Sequence, residues 1–140
     1  MKNFFIRLFT DFNALLIRLS RGRVGARLGT QTILILHTTG RKSGRPRSTP
    51  VAYFYYEGAY LLVGSNWGRE YQADWVLNLQ KQPRASVDVH GRSLEVLARV
   101  AEGDEYTHLW AYTTGRHPPY LEYQKATSRK IPIVVLQPVN

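Results

Sequence analysis

The chain has 140 residues, 44% of them hydrophobic, and no cysteine. That length suits one domain with a sizeable core. The missing cysteines exclude a disulfide framework, a thiolate metal site and a thiol nucleophile. The formal charge of +9 is unevenly placed: residues 1–50 hold ten Lys/Arg against Asp11, while residues 51–140 hold nine cations and nine acids. The excess points to an anionic partner for the first third: a phosphorylated cofactor, an anionic membrane surface or nucleic acid. No apolar run is long enough to span a bilayer, and Arg7 and Asp11 interrupt a would-be signal-peptide core. A cytoplasmic location is expected, with a peripheral place at the inner face of the membrane left open.

Residues 3–20 carry Phe5, Leu8, Phe9, Phe12, Leu15, Leu16 and Leu19 at helical spacing. Residues 1–22 are therefore expected to form an amphipathic helix, ended by Gly22 and Gly25. It packs on protein or lies on anionic lipid with Arg21, Arg23 and Arg27 beside it. The segment QTILILH (31–37) reads as a buried strand, and TPVAYFYYEG (49–58) as a second. Between them HTTGRKSGRPRSTP sets Arg41, Lys42, Arg45 and Arg47 among Gly40, Gly44 and Pro46. All four cations are expected on a turn-rich loop. Glycines permit tight turns and close backbone approach, and guanidinium forks match phosphate or carboxylate oxygens. An anion cradle and a merely solvated basic hairpin both fit these residues. A Walker-type phosphate loop does not, because Arg41 and Leu36 stand where that motif needs glycine.

Glu57-Gly58 signals a hairpin between strands 51–56 and 59–65, crowded by Tyr53, Phe54, Tyr55, Tyr56 and Tyr60. The following GSNWGRE (64–70) reads as a polar loop holding Trp67. A short helix is expected over 71–81, with Pro83 at its exit. Alternation marks strands at 84–90 and 93–101, turned by His90-Gly91-Arg92. A helix with acidic residues in its first turn covers about 104–113, followed by a Pro-Pro pair and another short helix. In that helix Tyr120 and Tyr123 share a face. The last strand lies within IPIVVLQP (131–138). This predicts an α+β fold: a small barrel of about six mainly antiparallel strands with peripheral helices.

Reactive groups are sparse. His37, His90, His108 and His117 have no metal-ligand spacing, so no metal is expected, and each reads as a surface or strand-end histidine. No nucleophile elbow or dinucleotide motif appears. An enzyme built on this chain would take its reactive group from a bound cofactor.

In order and spacing, TTGRKSGRPRSTP (38–50), VGSNWG (63–68), DWVLNLQKQP (74–83), PYLEYQ (119–124) and IPIVVLQP resemble the deazaflavin-dependent nitroreductase family. The resemblance covers roughly residues 22–138. It implies a split β-barrel over 23–140 that binds coenzyme F420, a deazaflavin with a phosphate and an anionic polyglutamate tail. By position, Lys42 and Arg47 match contacts to the phosphate and tail, flanked by Arg41, Ser43 and Pro50. Ser65, Asn66 and Trp67 match the loop beside the ring, and Trp75 the tryptophan of the next helix. Tyr120 and Tyr123 match the substrate-side tyrosine pair, with Tyr123 donating to the acceptor and Tyr120 and Ser65 supporting it. The implied reaction passes a hydride from the reduced cofactor to a quinone, nitroaromatic or activated alkene. Thr113–His117 match no part of the pattern. FMN is the alternative cofactor, and a non-catalytic, membrane-attached carrier of a lipid or flavin-like ligand the alternative function. Nucleic-acid binding ranks last, since no recognised module accompanies the charge. Monomer and homodimer are both left open.

Overall fold

The computed structural model describes residues 27–28 and 31–139. The expected helix over 1–22 lies outside them. Seven strands form one sheet: β1 (Arg27–Leu28), β2 (Gln31–Thr39), β3 (Pro46–Tyr56), β4 (Ala59–Val63), β5 (Arg84–Val89), β6 (Arg92–Val100) and β7 (Ile133–Pro138). Their order is β1-β2-β3-β4-β7-β6-β5, every pairing is antiparallel, and a β2–β5 pairing closes the last six into a barrel. Closure runs through Ile35↔Asp88, Leu36↔Val87 and His37↔Ser86. Three helices attach to the barrel: α1 (Asp74–Lys81), α2 (Gly103–Arg116) and α3 (Pro119–Ala126). This is the small, mainly antiparallel α+β barrel with peripheral helices that the strand pattern predicts, and it agrees with the split barrel that the resemblance implies. Among the described residues, no helix is long and apolar enough to cross a membrane.

Alternation places Leu34, Leu36, Tyr53, Val87, Val89, Val96 and Ala98 inside the barrel, where Trp75, Val76 and Leu79 of α1 join them. A second core forms outside it: Leu61, Val63, Ile133 and Val135 pack against Tyr106 and Leu109 of α2 and Tyr120 of α3. β4 and β7 are therefore covered on both faces. That explains why AYLLV and IVVL read as unbroken apolar runs instead of alternating. Two hairpins turn on paired left-handed residues, Glu57-Gly58 (φ 48° and 82°) and His90-Gly91 (φ 50° and 75°). Two-residue turns of this kind match the twist of antiparallel strands.

Two expectations are corrected. The cationic segment is shorter as a loop than its glycines and prolines suggest. β2 runs to Thr39 and β3 begins at Pro46, so Arg47 is a strand residue opposite Thr38. Pro46 and Pro50 are tolerated because β3 pairs with β4 only from Phe54 onward, and their missing N–H groups cost no bond on that side. α2 also continues past residue 113 to Arg116. The Thr113 and Thr114 hydroxyls bond back to the carbonyls of Leu109 and Trp110, at 2.9 and 2.7 Å, and the helix stops only at His117-Pro118.

Candidate active site

The β2–β3 hairpin is drawn tight by its own backbone. Gly40 N donates to Arg45 O at 2.8 Å and Gly44 N to Gly40 O at 2.8 Å. A Cβ at position 40 would lie 2.8 Å from Ser43 Oγ and 3.2 Å from Arg45 O, so a side chain there would displace the Ser43 hydroxyl and crowd the Arg45 carbonyl. Ser43 Oγ accepts from Arg45 N at 3.1 Å and from Arg47 Nη2 at 3.4 Å.

The four cations divide into two groups. Arg41 turns inward to α1: its backbone N and Nη1 both donate to Asn78 Oδ1 at 3.0 Å, and Nη2 reaches Asp74 Oδ1 at 3.1 Å. Lys81 Nζ also caps the Arg41 carbonyl at 2.8 Å. Arg41 therefore fastens the hairpin to α1, and its charge is already matched. The Lys42 and Arg45 side chains are exposed and make no hydrogen bond or ion pair to the described residues, while among those residues the Arg47 guanidinium bonds only Ser43 Oγ, at 3.4 Å. Three cations thus remain available to an anion. Beside them, His37 bridges Ser48 Oγ (2.8 Å) and Asp88 Oδ2 (2.7 Å), and Ser93 Oγ donates to Asp88 Oδ1 at 2.6 Å. This strut crosses four strands and holds the start of β3. His37 is a partly buried connector, not a plain surface histidine.

α1 links the hairpin to the loop that precedes it. In that loop Asn66, Trp67 and Gly68 are left-handed in succession, with φ of 46°, 61° and 78°. The fold leaves Trp67 72% exposed; its recorded ring partner is Tyr123, at 6.2 Å and edge-on. The loop sits hard on α3, since a Cβ at Gly68 would come within 3.1 Å of the Tyr123 carbonyl and of Ala126. Tyr123 is half-buried and its hydroxyl makes no hydrogen bond to the described residues. Tyr120 is only 5% exposed, packs edge-on against Phe54 and His117, and meets the Tyr123 ring at a tilt, 6.3 Å between centroids. Burial pushes the His117 imidazole below its ordinary pKa.

The structure therefore brings Ser65, Asn66 and Trp67 together with Tyr123 where the 64–72 loop meets α3, and sets Lys42, Ser43 and Arg47 on the hairpin that Arg41 ties to α1. Pro50 lies on β3, in the stretch unpaired with β4. Trp75 stands apart: it is buried inside the barrel with Val76 and Leu79. One contributor has no forecast in the sequence. Arg129 donates to Gly64 O, Ser65 O, Arg69 O and Gln72 Oε1 at 2.8–3.2 Å. Alongside, Glu70 accepts from Ser128 N at 2.9 Å and Ser128 Oγ at 2.7 Å, and these bonds hold its carboxyl below the usual range.

Known proteins resemble this chain along most of its length. A family model described as F420H(2)-dependent quinone reductase matches residues 10–138. An F420H(2)-dependent quinone reductase of Mycobacterium tuberculosis is 36% identical over 121 residues, covering 84% of this chain and 81% of the relative. Among solved structures, an F420-H2 dependent reductase (FDR-A) superposes with a TM-score of 0.68 at 35% identity, over 75% of this chain and 93% of that one. A chain solved as a domain-swapped dimer superposes at 0.71 with 29% identity, over 90% of this chain and 96% of that one.

Proposed function

The chain belongs to the F420H(2)-dependent quinone reductase family, and we propose that it reduces a quinone at the surface framed by Trp67 and Tyr123. It is an oxidoreductase that depends on reduced coenzyme F420. The observation that carries the site assignment is the division of the hairpin cations. Arg41 is consumed by Asn78 and Asp74, while Lys42, Arg45 and Arg47 stay available on a glycine-tightened turn. That pattern fits a phosphate and an acidic tail, which need unmatched positive charge and several donors.

Reduced F420 supplies the hydride, and the chain supplies position and proton control. Lys42, Arg45 and Arg47 hold the anionic end. The Ser65–Trp67 loop offers backbone N–H groups and one exposed indole face to a flat heterocycle. Tyr123 places a hydroxyl without a described partner where an acceptor oxygen gains charge, and donates to it as the hydride arrives. Tyr120, packed behind it, fixes its ring. Trp75 is assigned to the core and not to the ring. A nitroaromatic or activated alkene could accept the same hydride at this hydroxyl. The amphipathic pattern of residues 3–20 supports meeting a lipid-soluble quinone at a membrane surface. The domain-swapped relative supports a homodimer.

Tyr123→Phe removes the donor and little else. With reduced F420 and a short-chain quinone, kcat is expected to fall about a hundred-fold or more while cofactor affinity holds, since a donor aimed at developing charge contributes on that scale. Unchanged kcat would take the donor role away from Tyr123.

A further inference from the structure

We propose that Arg129 is the positioning residue of this site: its guanidinium clamps the 64–72 loop to α3 and so sets the separation between Trp67 and Tyr123. This rests on the assignment of residues 65–67 to the cofactor ring.

The loop is shaped by its own bonds, Gly68 N to Ser65 O at 2.9 Å, Arg69 N to Asn66 O at 3.1 Å and Asn66 Nδ2 to Tyr71 O at 2.9 Å, and is fixed in place by others from outside it. Two non-glycine residues, Asn66 and Trp67, adopt positive φ in sequence, which side chains rarely do unless their surroundings impose it. Burial of Trp67 does not impose it, because that indole faces solvent over most of its surface. The restraint comes from behind. Arg129 Nη1 donates to Gly64 O at 3.2 Å and to Gln72 Oε1 at 3.0 Å, Nη2 to Ser65 O at 2.9 Å, and Nε to Arg69 O at 2.8 Å. One planar group thus holds the loop at its start, its middle and its end. Only arginine carries enough donors in a fixed fork to do this; a lysine ammonium has three on a mobile stem.

The clamp is itself anchored to the helix that bears Tyr123. Gln124 Nε2 donates to Arg129 O at 2.8 Å, and Gln124 Oε1 accepts from Ile131 N at 3.0 Å. Glu70 adds a second bridge through Ser128. Arg129 spends its charge on carbonyls; among the described residues no carboxylate bonds it directly. Its desolvation, which depresses its pKa, accords with a positional use of the group. Loop and helix therefore form one unit around this side chain. A reacting pair held at fixed separation depends on such a unit, since small displacements cost rate steeply.

The test compares Arg129→Ala and Arg129→Lys with wild type in three measurements. These are amide exchange of the peptide covering 64–72, F420 affinity by fluorescence titration, and kcat and KM for a short-chain quinone. In Arg129→Ala, exchange in 64–72 is expected to rise about ten-fold or more while β4 and β7 stay protected. F420 affinity and kcat should each fall about ten-fold, with the salt dependence of binding unchanged because the hairpin is intact. Arg129→Lys should fall between; if the alanine variant does not fold, it decides alone. Unchanged exchange in 64–72 in a folded variant overturns the clamp. Raised exchange with unchanged affinity and kcat overturns the proposal through its premise, because the loop is then held by Arg129 but does not border the ring.

Discussion

Replacing Lys42 and Arg47 together by alanine is expected to weaken F420 binding by at least about a hundred-fold while leaving the barrel folded. Hydrogen bonds to charged partners contribute about 1.5–3 kcal/mol each, and every 1.4 kcal/mol is a factor of ten. Both side chains sit near solvent, so screening keeps the effect toward the low end. The fold should be indifferent, since Lys42 bonds to none of the described residues and Arg47 reaches only Ser43 Oγ at 3.4 Å. The loss should be largest at low salt and shrink as salt rises. Fluorescence titration of the double variant at two ionic strengths checks both points. Wild-type affinity in the double variant would remove the hairpin from the cofactor site.

Asn78→Ala should do the opposite and damage the fold first. Asn78 is 4% exposed and serves three groups at once. Its Oδ1 accepts from Arg41 N and Arg41 Nη1, both at 3.0 Å, and its Nδ2 donates to the buried Thr38 hydroxyl at 3.3 Å. Truncation strands a backbone N–H and a hydroxyl, and opens a cavity beside Leu79. A cost of about 2–4 kcal/mol follows from unsatisfied polar groups and lost packing together. For a chain of this size that lowers Tm by roughly 5–12 °C. Cofactor affinity should fall as well, because the hairpin then loses its tie to α1. Asn78→Asp keeps the acceptor for Arg41 and should lose less. Equal Tm for wild type and Asn78→Ala, by calorimetry, would mean that the hairpin is held by something else.

What was legible in the chain follows from how local each cause is. The Glu57-Gly58 and His90-Gly91 turns were readable because two adjacent residues decide them. The strands were readable because alternation repeats inside each one, and the runs at β4 and β7 because both faces are covered. The split between structural and available cations was not. Arg41 looks like its neighbours until Asn78, 37 positions later, is brought beside it. Trp75 carries an aromatic suited to a ring site, yet its place on the buried face of α1 sends it into the core. Arg129 was silent for the same reason: it is one cation in a short Ser-Arg-Lys run, and its partners lie 57–65 positions earlier. The one available hint was indirect. A polar loop such as GSNWGRE, too exposed to be held by burial, needs a donor from elsewhere. The helix boundary near 113 is illegible in the sequence because threonines carry little helical signal, while in the fold their hydroxyls bond within the helix.

The central claim is that the hairpin and the Trp67 loop together make a deazaflavin site. Its most direct test is a fluorescence titration of the purified 140-residue chain with F420, run beside FMN at low and moderate salt. Saturable binding of F420 that weakens with salt, with FMN bound far more weakly, is the predicted result, because the unmatched cations suit a long acidic tail that FMN lacks. Equal or tighter binding of FMN, or F420 binding indifferent to salt, would contradict it.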